Sequence, residues 1–396
     1  MTIREVTLPR VLSADEQDEL SRQLYRVADA IRSIEGSDNE AVMRVTFDGE
    51  PAVEVVERLA AEAAKFVTVF GMLPEKIIHE RRTSGSAGCP TSYDDLRARG
   101  DVTPLGDGLH SYAGTTGRLF RAMGELFRRE ACALGAEELQ FPTLIRADTL
   151  LKTGYLRGFP QHCQFVSPLD GCESNLRAFR AGIDRCAESI AEIDVRDFQV
   201  TPEYVLTPAV CYHSYEHFAG QVLPADGHVL VTAAQPCFRY EGRATEGLRR
   251  LREFTMREII CIGEPDSVVA QRERLFDLLK RLLDELDLQG VIKSASDPFF
   301  CDDYDAKRLF QMGFELKHEL RAGMHGASSL AIASINYHQD YFGKSFEITT
   351  SSGEPGHSCC VGFGIDRWCA AVFAQHGIDA AQWPEPMQRL MSDFAT

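Results

Sequence analysis

Phe238-Arg239-Tyr240-Glu241-Gly242 and, a short arginine-rich segment later, Arg252-Glu253-Phe254-Thr255-Met256-Arg257-Glu258 carry the reading of this chain. An Arg-x-Glu pair enters a loop. The chain returns through Arg-x-Phe into the apolar run Ile259-Ile260-Cys261-Ile262. This spacing predicts two antiparallel strands that hold a nucleotide between them. A guanidinium there can neutralise a phosphate and orient a carboxylate through forked hydrogen bonds. An aromatic ring can stack on a purine. The competing reading is a charged hairpin with a solvated turn, and two further motifs weigh against it.

The first lies upstream. Apolar residues recur at helical spacing from Leu119 to Leu134, and Gly135-Ala136-Glu137-Glu138-Leu139-Gln140-Phe141-Pro142 follows. That pattern predicts a long amphipathic helix, a turn at Gly135, and a strand ending at proline. The second is Gly362-Phe363-Gly364-Ile365-Asp366-Arg367-Trp368, which opens a helix through Ala370-Ala371-Val372-Phe373. Glycines let backbone approach a ligand, and an arginine at a helix start can reach a triphosphate. A lone Gly-x-Gly is weak, but the three features in this order resemble motifs 1, 2 and 3 of class II aminoacyl-tRNA synthetases.

Within that class, Thr207-Pro208-Ala209-Val210-Cys211-Tyr212-His213, Ser334-Ile335-Asn336-Tyr337-His338, Phe342-Gly343-Lys344 and Lys152-Thr153-Gly154-Tyr155-Leu156-Arg157-Gly158-Phe159-Pro160 narrow the likeness. They resemble the amino acid:[carrier protein] ligases, bacterial relatives of archaeal-type seryl-tRNA synthetases. The resemblance spans roughly residues 105 to 380 and leaves the first hundred residues uncovered. It implies an α+β class II catalytic fold, an antiparallel sheet flanked by helices. It also implies a reaction: a small amino acid, glycine or alanine favoured, is activated with ATP to an aminoacyl-adenylate. The aminoacyl group then passes to the phosphopantetheine thiol of a separate carrier protein. The alternatives are a seryl-type tRNA synthetase and a non-catalytic paralogue with a regulatory role.

The same resemblance assigns roles. Arg239 bridges the α-phosphate and the substrate carboxylate, Glu241 holds the adenine or amino end, and Phe254 stacks under adenine. Arg252 also belongs to the ATP set, Arg367 takes the γ-phosphate side, and Glu347 is a magnesium ligand, against a structural salt bridge. Arg239 and Arg367 are the catalytic pair. Cys211, Glu258 and one of Cys359 and Cys360, with Cys360 favoured, form a zinc site. Spacing alone would never pair these residues, and the chain has no Cys-x-x-Cys. Three protein ligands leave a position for a substrate amino group. The other cysteines read as buried small hydrophobes. A homodimer is expected, with an isologous contact covering the apolar face of Leu119 to Leu126.

Composition bounds the rest. The 396 residues allow about two or three domains, and 44% hydrophobic with 26% charged residues is ordinary for a globular protein. No apolar run reaches membrane-spanning length, Met1-Thr2-Ile3-Arg4-Glu5 lacks a signal-peptide core, and twelve cysteines without one point to a reducing cytoplasm. A net charge of -17 and the lack of a long heptad run argue against a large tRNA-gripping surface. On the long helix, Lys280-Arg281 with Arg272 and Arg274 is a candidate carrier-docking face, against an ordinary solvated face.

Three segments follow: a small α/β module over 1–80, a linker or mobile loop over 81–107, and a catalytic body over 108–396. In the module, Arg4 to Leu8 predicts a strand. Ser13 to Ile34 predicts a helix capped by Ser13 with Glu16. Ala41 to Phe47 predicts a strand and Ala52 to Phe70 a second helix. Helices are also expected over Glu173–Ile193, Asp266–Leu286 and Ala306–Leu320.

Overall fold

The computed structural model describes the chain except residues 38, 73–74, 83–89, 187, 225–226, 298–303, 325–327 and 394–396. Cys89, Cys301 and part of the segment expected as a linker fall outside the described residues. An eight-stranded sheet dominates. Its spatial order is Ile77–Arg81, Gly290–Ser294, Lys317–Gly323, Ser329–Gln339, His357–Gly364, Glu253–Gly263, His228–Phe238 and Glu137–Glu138. Every neighbouring pair is antiparallel except the last. The fold is α+β, a mainly antiparallel sheet flanked by helices, as the class II resemblance implies.

The alternation of a strand explains how one sheet serves two purposes. Along Glu253–Gly263, Ile259 and Cys261 join the main core beneath the helices Gly114–Ala133, Pro265–Glu285 and Ile365–His376, while Ile260 and Ile262 join a second core on the opposite face. His357–Gly364 repeats the pattern: Cys359, Val361 and Phe363 face the helices, and Cys360 faces the other way. Phe127 stacks on Phe363 with ring centroids 4.5 Å apart and touches Trp368. Leu119, Ala122 and Met123 are fully buried in the same core. The apolar face expected to meet a second chain is therefore largely consumed inside this one.

The first eighty residues build β1 (Thr2–Thr7), α1 (Ala14–Leu24), β2 (Ile31–Gly36), β3 (Val42–Phe47), α2 (Val53–Met72) and β4 (Ile77–Arg81). The order β1-β3-β2 makes a separate antiparallel sheet with its own apolar core. Ser13 and Glu16 form the expected capping box. The expected helix over Ser13–Ile34 ends ten residues early, because Ile31–Gly36 pairs with β3 instead. The apolar spacing of Val27, Ile31 and Ile34 suits a helix, but strand pairing overrides it. β4 leaves this module and becomes the edge strand of the large sheet, paired with Gly290–Ser294. Within 81–107 the chain forms the helix Tyr93–Ala98 and the strand Val102–Gly106, which pairs with Leu109–Tyr112.

Two other helices are shorter than expected. Glu173–Ile183 is helical, and single 3-10 turns follow. Tyr304–Gly313 ends at its glycine, and Lys317–Gly323 becomes a strand between two partners of the large sheet. No helix among the described residues is long and apolar enough to cross a membrane.

Candidate active site and metal centre

The sheet face turned away from the helices opens into a cavity of about 870 Å³. The hairpin His228–Phe238/Glu253–Gly263 supplies one wall. Cys237 lies opposite Phe254, and the Arg239 amide donates to the Arg252 carbonyl at 2.9 Å, so pairing persists to the mouth of the loop. Arg239 donates from Nε to the Pro208 carbonyl at 3.1 Å and lies over the Phe254 ring, 5.2 Å from its centroid. The guanidinium thus stacks on the aromatic face expected to take a purine. Phe254, Met256 and Glu258 follow one another on the cavity side, as alternation requires.

The floor comes from Ile365–His376. Asp366 accepts from the Tyr112 hydroxyl at 2.6 Å and from the Thr255 amide at 2.8 Å. This buried carboxylate fastens the helix start to the hairpin strand. Burial pushes its pKa up, and the Tyr112 and Thr255 donors oppose that rise. Arg367, next in the chain, donates to the Arg249 carbonyl at 2.9 Å and the Ala331 carbonyl at 3.1 Å. Burial, with Arg250 and Arg239 nearby, draws its pKa down to about 10. Like charges are gathered here, and Glu241 opposes them in part.

Cys211, Glu258 and Cys360 come together from a helix start and two adjacent strands. Their ligand atoms all lie within 4.8 Å of one another, and all three residues are buried. One Glu258 oxygen accepts from the Val210 amide at 3.0 Å; the other is buried beside Cys211 and makes no regular hydrogen bond among the described residues. An orphaned carboxylate oxygen beside two thiols is the donor set a borderline dication takes. The Cys211 thiol is pushed far up by the neighbouring Cys360 thiol, by burial and by Glu258. The Asn336 amide reaches Cys360 Sγ at 3.8 Å, and His338 bonds Ser358 and Tyr215 just behind. Cys359 turns to the opposite face, where its thiol reaches the Val268 carbonyl.

Not every expected residue arrives. Arg239, Glu241, Phe254 and Arg367 line the cavity. Arg252 is not among the lining residues; it lies over Tyr240, 5.0 Å from the ring centroid. Arg249 and Arg250 line the cavity instead. Glu347 is exposed, caps Tyr341–Phe346 in a left-handed conformation (φ 54°) and stands outside the cavity. The basic residues suggested for carrier docking are taken up within the chain. Lys280 pairs with Asp277, Arg281 with Glu130 and Glu285, Arg274 with Gln271, and Arg272 lies against His318. Sequence reasoning missed Arg22 and Arg26 of the first module, and the group Asp297, Lys317 and Glu319, where Lys317 meets Asp297 at 2.5 Å. No local motif marks them, since strand order and module docking bring them in.

This geometry now has relatives. Residues 197–376 match the family model for the tRNA synthetase class II core domain (G, H, P, S and T). The chain is 37% identical over 261 residues to amino acid–[acyl-carrier-protein] ligase 2 of Bradyrhizobium diazoefficiens, covering 64% of this chain and 74% of that one. It is 34% identical over 258 residues to ligase 1 of the same organism, covering 65% and 77%. Among solved structures, Methanopyrus kandleri SerRS in complex with A. aeolicus tRNASec has a TM-score of 0.72 at 22% identity, covering 99% of this chain and 77% of that one. The fold and site define a class II synthetase-type catalytic domain. The chain belongs to the amino acid–[acyl-carrier-protein] ligase family.

Buried histidines make the fold acid-sensitive. Burial draws His162, His213 and His318 each down to about 4. The unfolded chain takes up these protons near pH 6.5, whereas the folded chain resists until about 4. Their contribution to stability is therefore present above pH about 6.5 and lost as pH falls toward 4. Thermal unfolding across this range should show a steady fall in Tm, reduced in His213→Gln; a flat profile would contradict it.

Proposed function

We propose that this chain activates a small amino acid with ATP and passes the aminoacyl group to the phosphopantetheine thiol of a carrier protein. The observation that carries the reading is one cavity holding both a cluster of arginines and the Cys211–Glu258–Cys360 triad. Relatives named amino acid–[acyl-carrier-protein] ligases, at 34% and 37% identity, support the choice of acceptor.

In the first step a carboxylate oxygen of the amino acid attacks the ATP α-phosphorus. The bond to the bridging oxygen breaks, and pyrophosphate leaves. Arg239 is positioned to hold both reacting groups, and its charge offsets the negative charge that grows during the exchange. Glu241 and Phe254 would fix the adenosine, with the ring taking the purine once Arg239 turns to the phosphate. Arg367 would meet the far end of the triphosphate. In the second step the carrier thiol sulfur attacks the carbonyl carbon, the bond to AMP breaks, and the adenylate phosphate can accept the thiol proton. No protein base is required.

Cys211, Glu258 and Cys360 would hold a zinc ion, which when bound would take the substrate amino group and so exclude molecules lacking one. ATP brings a divalent ion of its own. Glu347 stands outside the cavity, and no step is routed through a protein-held magnesium. Glycine or alanine as substrate and a cytoplasmic setting remain part of this reading.

The reading is tested by amino-acid-dependent ATP–pyrophosphate exchange. Arg239→Ala should lose about 3–4 kcal/mol of transition-state stabilisation, a rate loss of several hundredfold, while the protein stays folded. Near-normal exchange in the folded variant would show that the hairpin does not serve ATP.

Metal content gives an independent check. Purified protein should carry one zinc per chain. Cys211→Ala and Cys360→Ala should lose zinc and exchange together, and Cys359→Ala should keep both. Full zinc content in Cys211→Ala would refute the triad.

A homodimer is also proposed, now through a different surface. The small sheet Leu144–Arg146, Tyr204–Leu206 and Phe165–Val166 leaves Leu144, Tyr204 and Phe165 exposed. Sedimentation should give a dimer at micromolar concentration that Phe165→Glu weakens; a monomeric parent protein would contradict this.

A further inference from the structure

Helix α1 does not merely neighbour the catalytic body; it closes a second cavity against it, of about 480 Å³. Two carboxylates one turn apart fasten the helix. Asp15 lies 3.5 Å from Lys293 and 3.3 Å from Arg321, and it accepts from the Ser329 hydroxyl at 2.5 Å and the Ser329 amide at 3.1 Å. Asp18 meets Arg250 at 2.8 Å, and Arg250 is only 12% exposed. Arg22, one further turn along the same helix face, is thereby carried to the place where the two cavities meet.

That junction has an unusual lining. The residues shared by both cavities are Arg22, Arg249, Arg250, Glu319, Ala331 and Arg367. Four of the six are arginines; Arg249 meets Glu246 at 3.6 Å and Arg250 meets Asp18, while Arg367 donates only to backbone carbonyls, so an anion entering the junction would meet Arg367 directly and compete with carboxylates for the others. Arg22 pairs with Glu19 and, at 3.6 Å, with Asp18, both on its own helix. The Arg22 side chain is mostly buried, and Glu319 and Glu241 add their charges to the same guanidinium, so a phosphate arriving there competes with these carboxylates for it. The family model begins at residue 197 and cannot assign a role to α1.

We infer that Arg22 is a binding residue for the polyphosphate tail of ATP, making the N-terminal module a wall of the nucleotide site. The inference rests on the adenylation reading. Arg239 takes the α-phosphate at the hairpin, and the tail extends past Arg367 toward Arg250 and Arg22. The module then couples nucleotide occupancy to its own docking, because Asp18 shares the arginines that the phosphates need.

The test is titration calorimetry on the full chain with ATP, pyrophosphate, AMP and 4′-phosphopantetheine. Arg22→Ala should weaken ATP and pyrophosphate by roughly tenfold or more, as expected for loss of a charge-assisted contact, and leave AMP within twofold. Arg22→Lys should retain the helix pairs and fall between the two. It also serves as the test variant if the alanine variant does not fold. ATP affinity within twofold of the parent in a folded variant would overturn the inference. So would an equal loss for ATP and AMP, which marks a displaced helix, or a loss confined to phosphopantetheine, which assigns the junction to the acceptor arm. Failure of the parent chain itself to bind ATP would instead sink the adenylation reading.

Discussion

Everything at this site depends on the register between the strands Glu253–Gly263 and His357–Gly364. Ile260 lies opposite Cys360, and Glu258 lies opposite Gly362. That pairing puts Phe254, Met256, Glu258, Cys360 and Gly362 on one face and hands the intervening residues to the helical core. A slip of one residue would turn Glu258 or Cys360 into the core and core residues into the cavity. Two things pin the register. Ile259, Cys261, Cys359, Val361 and Phe363 are all fully buried against helices. Asp366 ties the end of one strand to Thr255 of the other. Gly362 completes the arrangement, since a Cβ there would stand 3.2 Å from Met256 Sδ and 3.6 Å from Glu258.

The register gathers charges that oppose one another. Arg239, Arg250 and Arg367 crowd a single space, and two thiols share a buried pocket with a carboxylate. Arg367 is the group this crowding disfavours most, since burial and the neighbouring arginines oppose its charge. The fold holds them through the many apolar contacts of the opposite face, so the strained groups need contribute nothing to stability. Such a site is preorganised: little reorganisation remains when an anion arrives. The same logic reaches the first module, whose carboxylates Asp15 and Asp18 moderate the basic rim they dock against.

Much of this could be read in the sequence wherever function and local pattern coincide. The hairpin from Arg239 to Phe254 and the Gly-x-Gly helix start both announce themselves, because a turn or a helix boundary needs specific residues there. The capping box at Ser13 and Glu16 is legible for the same reason. The ends of elements were harder. Ile31 to Ile34 was expected as helix and lies in a strand, and Lys317–Leu320 was expected as helix although Gly313 offered a stop signal. Glu347 could not be placed from its neighbours, since a left-handed cap turns it to solvent. Arg22 was invisible, because only the docking of one module on another brings it to the cavity.

The central claim is that adenylate chemistry here serves a thiol acceptor. The direct measurement is transfer of radiolabelled amino acid, from ATP and the purified chain, to a holo carrier protein and to tRNA offered together. The account predicts label on the carrier protein, released by neutral hydroxylamine and by thiols as a thioester is, with none on tRNA. Label on tRNA as an ester, with the carrier protein bare, would contradict it and return the chain to a seryl-type synthetase.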